Sequence, residues 1–410
     1  MTEIPDTVIL LGTDTPIGLA IVRDLGRHGF NTVGIGHSAT ALASRSRYCT
    51  RHEVRAGKNE VLIEQIEELA RRHNARFLLA ISEGDLLTIN RFRDRLEKVI
   101  TPLTPTSDRL SRVLDKTVCQ DHAEKAGIRV PATWNFDNLE QARRDAPGLT
   151  YPLVLKWADP NLVAGRLEQA GLELIKTAYA RTPEDLIEQL APYEAIGAYP
   201  MVQEYCPGKG LGQMFLMKDG EAVLEFQHER LHEWPPEGGV SSLCRSLPLT
   251  EHEGAREKSR ALLKDLDWTG VAMVEYRYDP ATGTYYFMEI NGRFWGSLPL
   301  AIAAGAPFAA GLVTCCGRNE PVQDQGKPYA LLQCCYWIPE SKRLLRLLIA
   351  RRRIRDPFYR PDTLKSLAGY LLAPLRPDVC YYVFQWRDSG PFFADLANIL
   401  KKISSNIFQR

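Results

Sequence analysis

Residues 1 to about 105 alternate β-rich runs with helical periods, a rhythm that few folds accommodate. TVILLG, NTVGIGH and ARFLLAIS read as strands. LAIVRDLGRHG and Val61–His73 read as helices, the second carrying Leu62, Ile66, Leu69 and Ala70 on one face, and another helix is expected over Asp85–Glu97. Strand–helix–strand repeats need parallel strands, because the helix makes the crossover. The expectation is therefore a doubly wound α/β domain. The Ser82–Asp85 turn falls at the carboxyl end of a strand, where open α/β sheets bind ligands. Gly12 and Gly18 bracket the first strand–helix turn without GxGxxG spacing, so an NAD-dependent oxidoreductase stands only as an alternative.

Val271–Ser297, VAMVEYRYDPATGTYYFMEINGRFWGS, predicts an antiparallel hairpin turning at Asp279–Gly283. Glu275 sits on one strand and Glu289 on the other. Glu289, Asn291 and Arg293 follow at steps of two, so an extended chain puts them on one face. Two carboxylates and an amide oxygen are hard ligands suited to Mg²⁺, and a neighbouring Arg suits phosphate. A solvated hairpin with scattered charges is the other reading of the same residues.

Composition narrows the options. The chain carries 51 basic and 50 acidic residues, net +1, which gives no case for nucleic-acid binding. Its nine cysteines include no CxxC pair, as expected for free thiols in a reducing compartment, here the cytoplasm. The start, MTEIPDTVILLGTDTP, lacks the basic region and apolar core of a signal peptide. No run approaches the length of a membrane span. Leu298–Cys316 is apolar but broken by Pro299 and Pro307, which predicts a buried helix pair. Lys342–Arg355, KRLLRLLIARRRIR, holds seven basic residues around an apolar set. It is either a core-facing helix with solvated arginines or a surface for a membrane or an acidic partner.

Other single residues carry two readings each. Asp108–Ala126 has helical periodicity, ends at Gly127 before Pro131, and contains Lys116, by default a surface lysine. YPLVLKW is a compact strand whose Lys156, between Leu155 and Trp157, can neutralise phosphate if it projects into a cleft. MVQEYC is a strand stopped by Pro207–Gly208, and Asp219–Gly220 marks a hairpin. HERLHEWPPEGGVSSLCR places Arg230, Gly238–Gly239, Ser241 and Arg245 ahead of the first hairpin. Arg245 either clamps a carboxylate bidentately or forms an ordinary surface salt bridge.

Taken in order, LDKTVCQDHAEKAGIRVPAT, YPLVLKW, MVQEYCPG and the Glu275/Glu289 hairpin resemble the ATP-grasp superfamily, in particular its carboxylate–amine (amino acid) ligases, over roughly residues 5–315. The resemblance implies an α/β (α+β) ATP-grasp fold. It would comprise a doubly wound pre-ATP-grasp domain over 1–105 and an ATP-grasp region over 106–315. Within that region a lid subdomain is expected at about 132–205 and an ATP- and Mg-binding subdomain with an antiparallel sheet at about 206–315. A carboxy-terminal extension over 316–410 carries no motif.

The resemblance also implies site roles. Lys116 and Lys156 would contact ATP phosphates, under a phosphate-covering loop at Ala158–Gly171. The segment Gln203, Glu204, Tyr205 and Cys206 would read the adenine edge, and Gln213 would hold the ribose. Glu275, Glu289 and Asn291 would ligate Mg²⁺ or Mn²⁺. Arg293 would face the transferring phosphate or acyl group, and Arg245 the acyl substrate. The implied reaction converts a carboxylate to an acylphosphate and joins it to an amine, with small-molecule partners, amino acids or peptides among them, and a homodimer as the assembly. A nucleotide-binding module without catalysis is the alternative.

Overall fold

The computed structural model describes residues 5–157, 160–174, 177–236, 238–322, 326–354, 359 and 361–408. Ala158–Asp159, at the start of the expected phosphate-covering loop, and Arg355, at the end of the basic segment, lie outside them. Within the described residues the strands form three sheets.

The first sheet is parallel: β1 (Thr7–Leu11), β2 (Asn31–Gly36), β3 (Arg51–Val54), β4 (Ala75–Ala80) and β5 (Thr101–Pro102), in the order β3-β2-β1-β4-β5. Successive residues of β1 feed two different cores, Val8 and Leu10 one, Ile9 and Leu11 the other. A strand buried on both faces has no polar side to show, which is why TVILL reads as an unbroken apolar run. Gly12 and Gly18 serve packing: a Cβ on Gly18 would lie 2.4 Å from the Gly12 carbonyl oxygen, and one on Gly12 2.4 Å from the Ile81 side chain.

The second sheet is small and antiparallel: β6 (Thr133–Trp134), β7 (Leu153–Lys156), β8 (Ala178–Ala180) and β9 (Met201–Glu204), in the order β6-β9-β7-β8. The Leu139–Asp145 and Pro183–Leu190 helices close its core through Leu139, Ala142, Leu186 and Leu190. Thr182 caps the latter helix by accepting from the Asp185 amide at 3.2 Å.

The third sheet is the centre of the molecule: β10 (Lys209–Lys218), β11 (Glu221–Trp234), β12 (Val240–Ser246), β13 (Gly270–Asp279), β14 (Thr284–Asn291), β15 (Gln333–Cys335) and β16 (Val379–Tyr381). Their order is β14-β13-β10-β11-β12-β15-β16. Pairing is antiparallel up to β15, and β15 and β16 run parallel. The fold is thus mixed α/β with an antiparallel central sheet.

The region after 315, in which no motif was read, supplies β15 and β16 to the central sheet. It also reaches the first domain. Arg23 on the Pro16–Arg27 helix is buried and donates through Nε to Asp388 Oδ2 at 2.8 Å, and Asp388 also accepts from Ser46 Oγ at 2.7 Å and the Arg47 amide at 2.8 Å. Next to it, Asp24 accepts from the amides of Ala309 and Ala310 at 2.9 and 3.0 Å, capping the Phe308–Leu312 helix. The Trp337–Ile349 helix buries Arg343 and Leu347 and turns Leu345, Leu348 and Ile349 outward, so one arginine lies inside and apolar residues lie outside. Leu298–Cys316 is buried, as its prolines implied, in helices Leu298–Ala304 and Phe308–Leu312.

Candidate functional site

The β13–β14 hairpin turns where Asp279 Oδ1 and Oδ2 accept from the Ala281 amide (3.0 Å) and Thr282 Oγ1 (2.9 Å), and Gly283 adopts φ +71°. From there the register carries Glu275 directly opposite Glu289 and Met273 opposite Asn291. Cross-strand partners share a face, so Glu275, Glu289 and Asn291 point the same way. Asn291 Nδ2 donates to Glu289 Oε1 at 2.9 Å. The other face, with Val274, Tyr276 and Ile290, packs into the core under the Glu253–Asp265 helix.

Glu275 is largely buried and Glu289 is exposed. Burial pushes the Glu275 carboxyl above the ordinary range; Arg230 opposes the shift, and Glu289 and Glu233 add to it. Arg230 lies on β11, with β10 between it and Glu275, and the two side chains pair across that strand. The intervening strand allows this because Gly210 and Gly212 face Arg230 and His228. A Cβ on Gly210 would lie 2.9 Å from Arg230 Cδ, and one on Gly212 2.6 Å from His228 Nε2. Arg230 also approaches Glu233 at 3.7 Å, which Arg277 approaches at 4.0 Å. Burial works against the Arg230 charge, but Glu275, Glu233 and Glu289 outweigh it and hold the guanidinium protonated. His228 is fully buried beside it, shares a hydrogen bond with Ser297 Oγ through Nδ1 (2.9 Å), and is held down to about 3 by burial first and Arg230 second.

Lys156 ends β7 on the small sheet. Burial lowers its ammonium pKa and Lys116 adds to the effect, while Glu289, Cys206 and Glu275 act in the opposite direction. Elements from three separate stretches therefore share one electrostatic neighbourhood. Lys116 is there because its helix is broken. Asp115 leaves the helical conformation and caps a new helix, accepting from the Thr117 and Val118 amides at 2.9 and 3.2 Å. The helix expected over Asp108–Ala126 is thus two, Ser107–Leu114 and Lys116–Lys125, with Lys116 at the first position of the second.

Strand β9, expected to lie along the adenine edge, carries Gln203 and Glu204. Gln203 is buried and donates to Thr133 Oγ1 at 3.0 Å. The Glu204 carboxylate is taken by Arg129 (2.7 Å) and the Ala132 amide (3.2 Å), so its side chain braces β9 against the preceding segment. Tyr205 donates its amide to the Pro152 carbonyl at 3.4 Å, and Cys206 is buried. Arg129 also stacks over the Tyr286 ring at 4.6 Å, linking β9 to the hairpin.

Two expected site residues lie on the wrong face of the central sheet. Gln213 pairs with Val274 and is fully buried; its side chain accepts from Ser259 Oγ at 2.7 Å and donates to Gln227 Oε1 at 3.3 Å. It cannot reach a ribose on the Glu275 face. Arg245 pairs in register with Glu229 and is bound to that carboxylate by Nε (2.7 Å) and Nη2 (2.6 Å), again opposite Glu275. Alternation along strands puts the neighbours of Arg245 on the Glu275 face, and on β11 that face belongs to Arg230. Arg293 joins the hairpin to the first domain, donating through Nε to Glu83 Oε1 at 3.1 Å. Glu83 starts the helix after β4, in the Ser82–Asp85 turn marked as a ligand-facing position.

His228, Glu233 and Arg277 of this face did not stand out in the sequence, and Arg230 did so only beside Arg245. The available signal was the pair of glycines two apart in β10, since glycine inside a strand marks close approach by a neighbour. Among the described residues no three His, Cys, Asp or Glu side chains gather as a protein-only metal cage. Glu275, Glu289 and Asn291 nevertheless suit a hard cation that keeps water or substrate oxygens in its shell. Two carboxylates directly opposed in a ladder repel each other, and Arg230 pairs directly with Glu275.

Residues 244–314 match the family model described as the carbamoyl-phosphate synthase L chain, ATP-binding domain. Biotin carboxylase 1 of Bacillus subtilis (strain 168) is 25% identical over 221 residues, covering 49% of this chain and 45% of the relative. The chain spans less than half the length of the curated relatives it matches. Among solved structures, the biotin carboxylase domain of Hydrogenobacter thermophilus 2-oxoglutarate carboxylase, solved with MgADP, ADP and bicarbonate, superposes with TM-score 0.59 at 18% identity, over 78% of this chain and 71% of that one. N5-carboxyaminoimidazole ribonucleotide synthetase in its ADP complex gives 0.53 at 18% identity, over 72% and 73%. Identities this low speak for a shared fold.

Proposed function

We propose that this chain, an ATP-grasp protein related to the carbon–nitrogen ligases of that superfamily, binds ATP with Mg²⁺ in the cleft between the small and central sheets and joins a carboxylate to an amine. The observation that carries the reading is the alignment of Glu275, Glu289 and Asn291 on one face of the hairpin, with Arg230 paired to Glu275 beside them and Lys156 of the small sheet within their electrostatic reach. Cations from the lid side and carboxylates from the hairpin are what a metal–nucleotide needs on its two sides.

In this reading a substrate carboxylate oxygen attacks the γ-phosphorus of ATP and the bond to the β-phosphate oxygen breaks, releasing ADP. The amine nitrogen then attacks the acyl carbon, phosphate departs, and the nitrogen loses its proton. Lys116 and Lys156 hold the phosphates, and the backbone around Glu204 and Cys206 takes the adenine edge. Glu275, Glu289 and Asn291 would hold Mg²⁺, which when bound neutralises phosphate charge. Arg230, fixed over Gly210 and Gly212, supplies a preorganised cation on the same face, where developing negative charge is stabilised without reorganisation. Arg293, between the hairpin and Glu83, sits where the first domain presents its strand ends, the side from which the acyl substrate would enter. Amino acids and peptides are the carboxylates and amines to try first.

The test is ADP release against a panel of paired carboxylates and amines, with mass detection of the product. Glu289→Ala should abolish the pair-dependent release and leave the thermal melt unchanged. Normal turnover by this variant would remove the metal assignment, and ATP binding without ADP from any pair would favour a non-catalytic nucleotide-binding module.

A further inference from the structure

The carboxy-terminal region presents an apolar surface with a basic rim. On the Trp337–Ile349 helix, Leu345, Leu348 and Ile349 point away from the buried Arg343 and Leu347. The Thr363–Leu372 helix is mostly apolar yet buries none of its residues, and Ser341 and Tyr370 hydroxyls tie it to the first helix at 2.6 Å. Ile349, Leu364, Leu375 and Trp386 remain 77%, 80%, 80% and 88% exposed. An aromatic row runs from the Trp337–Ile349 helix, where Trp337 meets Phe392, Phe392 meets Phe384, and Phe384 meets Trp386 at ring separations of 5.6, 5.3 and 4.9 Å. A cavity of about 310 Å³, walled by Trp337, Ile338, Pro374, Phe384 and Phe392 among others, opens beside it. An apolar face of this extent on a folded chain marks a contact surface.

Charge selects the partner. Residues 337–376 hold ten basic and three acidic residues, net +7, in a chain whose total is +1. Lys342, Arg351, Arg352 and Lys365 are exposed. Lys342 lies four and seven positions from Arg346 and Ile349, on the same side of the helix as the outward leucines. Two copies meeting here would bring like charges together, whereas an anionic surface would neutralise them. Exposed tryptophans beside basic residues fit the boundary between lipid headgroups and acyl chains. Among the described residues no single helix is long and apolar enough to cross a membrane, so the contact lies in the plane of the surface.

We infer that this face docks the protein on an anionic lipid bilayer, with Leu345, Ile349, Leu364 and Trp386 entering the headgroup region and the basic rim meeting the lipid charge. The inference stands apart from the ligase reading, because none of these residues lines the Glu275 face.

Sedimentation of the full chain with phosphatidylcholine vesicles, with and without phosphatidylglycerol, tests it. Pelleting should require the anionic lipid and should fall as salt rises. Leu345→Glu/Ile349→Glu should abolish it without shifting the thermal melt or ATP binding. Arg351→Gln/Arg352→Gln should weaken it about fivefold for each charge removed. Absence of pelleting with anionic vesicles at low salt would overturn the inference. So would a chain that is dimeric in solution and becomes monomeric in Leu345→Glu/Ile349→Glu with pelleting unchanged, which would give the face to a second copy.

Discussion

Arg230 reaches Glu275 by crossing an intervening strand at Gly210, where a single added methyl group would stand 2.9 Å from its Cδ. Two charged residues on non-adjacent strands are thus positioned by a residue with no side chain.

Gly210→Ala should displace Arg230 while leaving the β10–β11 ladder intact. A shift of about 1 Å at a positioned cation costs on the order of a hundredfold in rate. ADP release should fall by that order with nucleotide affinity changed little. An unchanged rate would show that Arg230 does not act in the reaction.

Glu275 and Glu289 should respond differently to the same isosteric change. Glu289→Gln touches an exposed group and should weaken Mg-dependent nucleotide binding without changing stability. Glu275→Gln should do both, because it leaves a buried guanidinium short of a partner at a cost of about 1–3 kcal/mol. Urea unfolding together with Mg²⁺-dependent thermal shifts separates the two effects.

Asp388→Ala should destabilise the whole chain. Removing one partner of a buried ion pair typically costs about 3–5 kcal/mol. Arg23→Met/Asp388→Leu should recover much of the loss, because replacing both partners removes the stranded charge. A drop below about 1 kcal/mol for the single variant, measured by chemical unfolding, would argue against the buried pair.

Acid should weaken the fold in two overlapping windows. His228 is held down to about 3 by burial and Arg230, so the unfolded chain takes up its proton near the ordinary value of 6.5 and the native chain does not. Stability should therefore decline as pH falls from about 6.5 toward about 3. Burial alone would raise the Glu340 carboxyl, but His232 and Arg343 outweigh it and hold it at about 2, below the ordinary 4.5. Its contribution is lost as pH falls from about 4.5 to about 2, with the same sign. Thermal melts across this range should show the decline, and His228→Gln should flatten its upper part.

The sequence made some of this legible and hid the rest for physical reasons. The three inner strands of the parallel sheet, β2, β1 and β4, were visible because strands buried on both faces are apolar throughout, whereas the edge strand β3, RHEV, shows no such run. The Glu275/Glu289 hairpin was visible because its turn, alternation and charges are local. Arg245 and Gln213 were misplaced because the face a strand residue takes depends on its register with neighbours far away in the chain. Strand β16, three residues long, has too little length for a periodic signal and exists only through its pairing with β15. Asp115 broke an apparently continuous helix through a cap that periodicity does not register.

Arg23 and Asp24 are consecutive residues, yet one grips Asp388 near the end of the chain and the other grips the helix at Ala309. A single turn of the Pro16–Arg27 helix therefore works as a knot between segments 365 positions apart. A chain cut near residue 315 would lose the Asp388 half of that knot and two strands of its central sheet, so the last hundred residues should resist exchange as a cassette and the nascent chain should stay incompletely folded until they emerge.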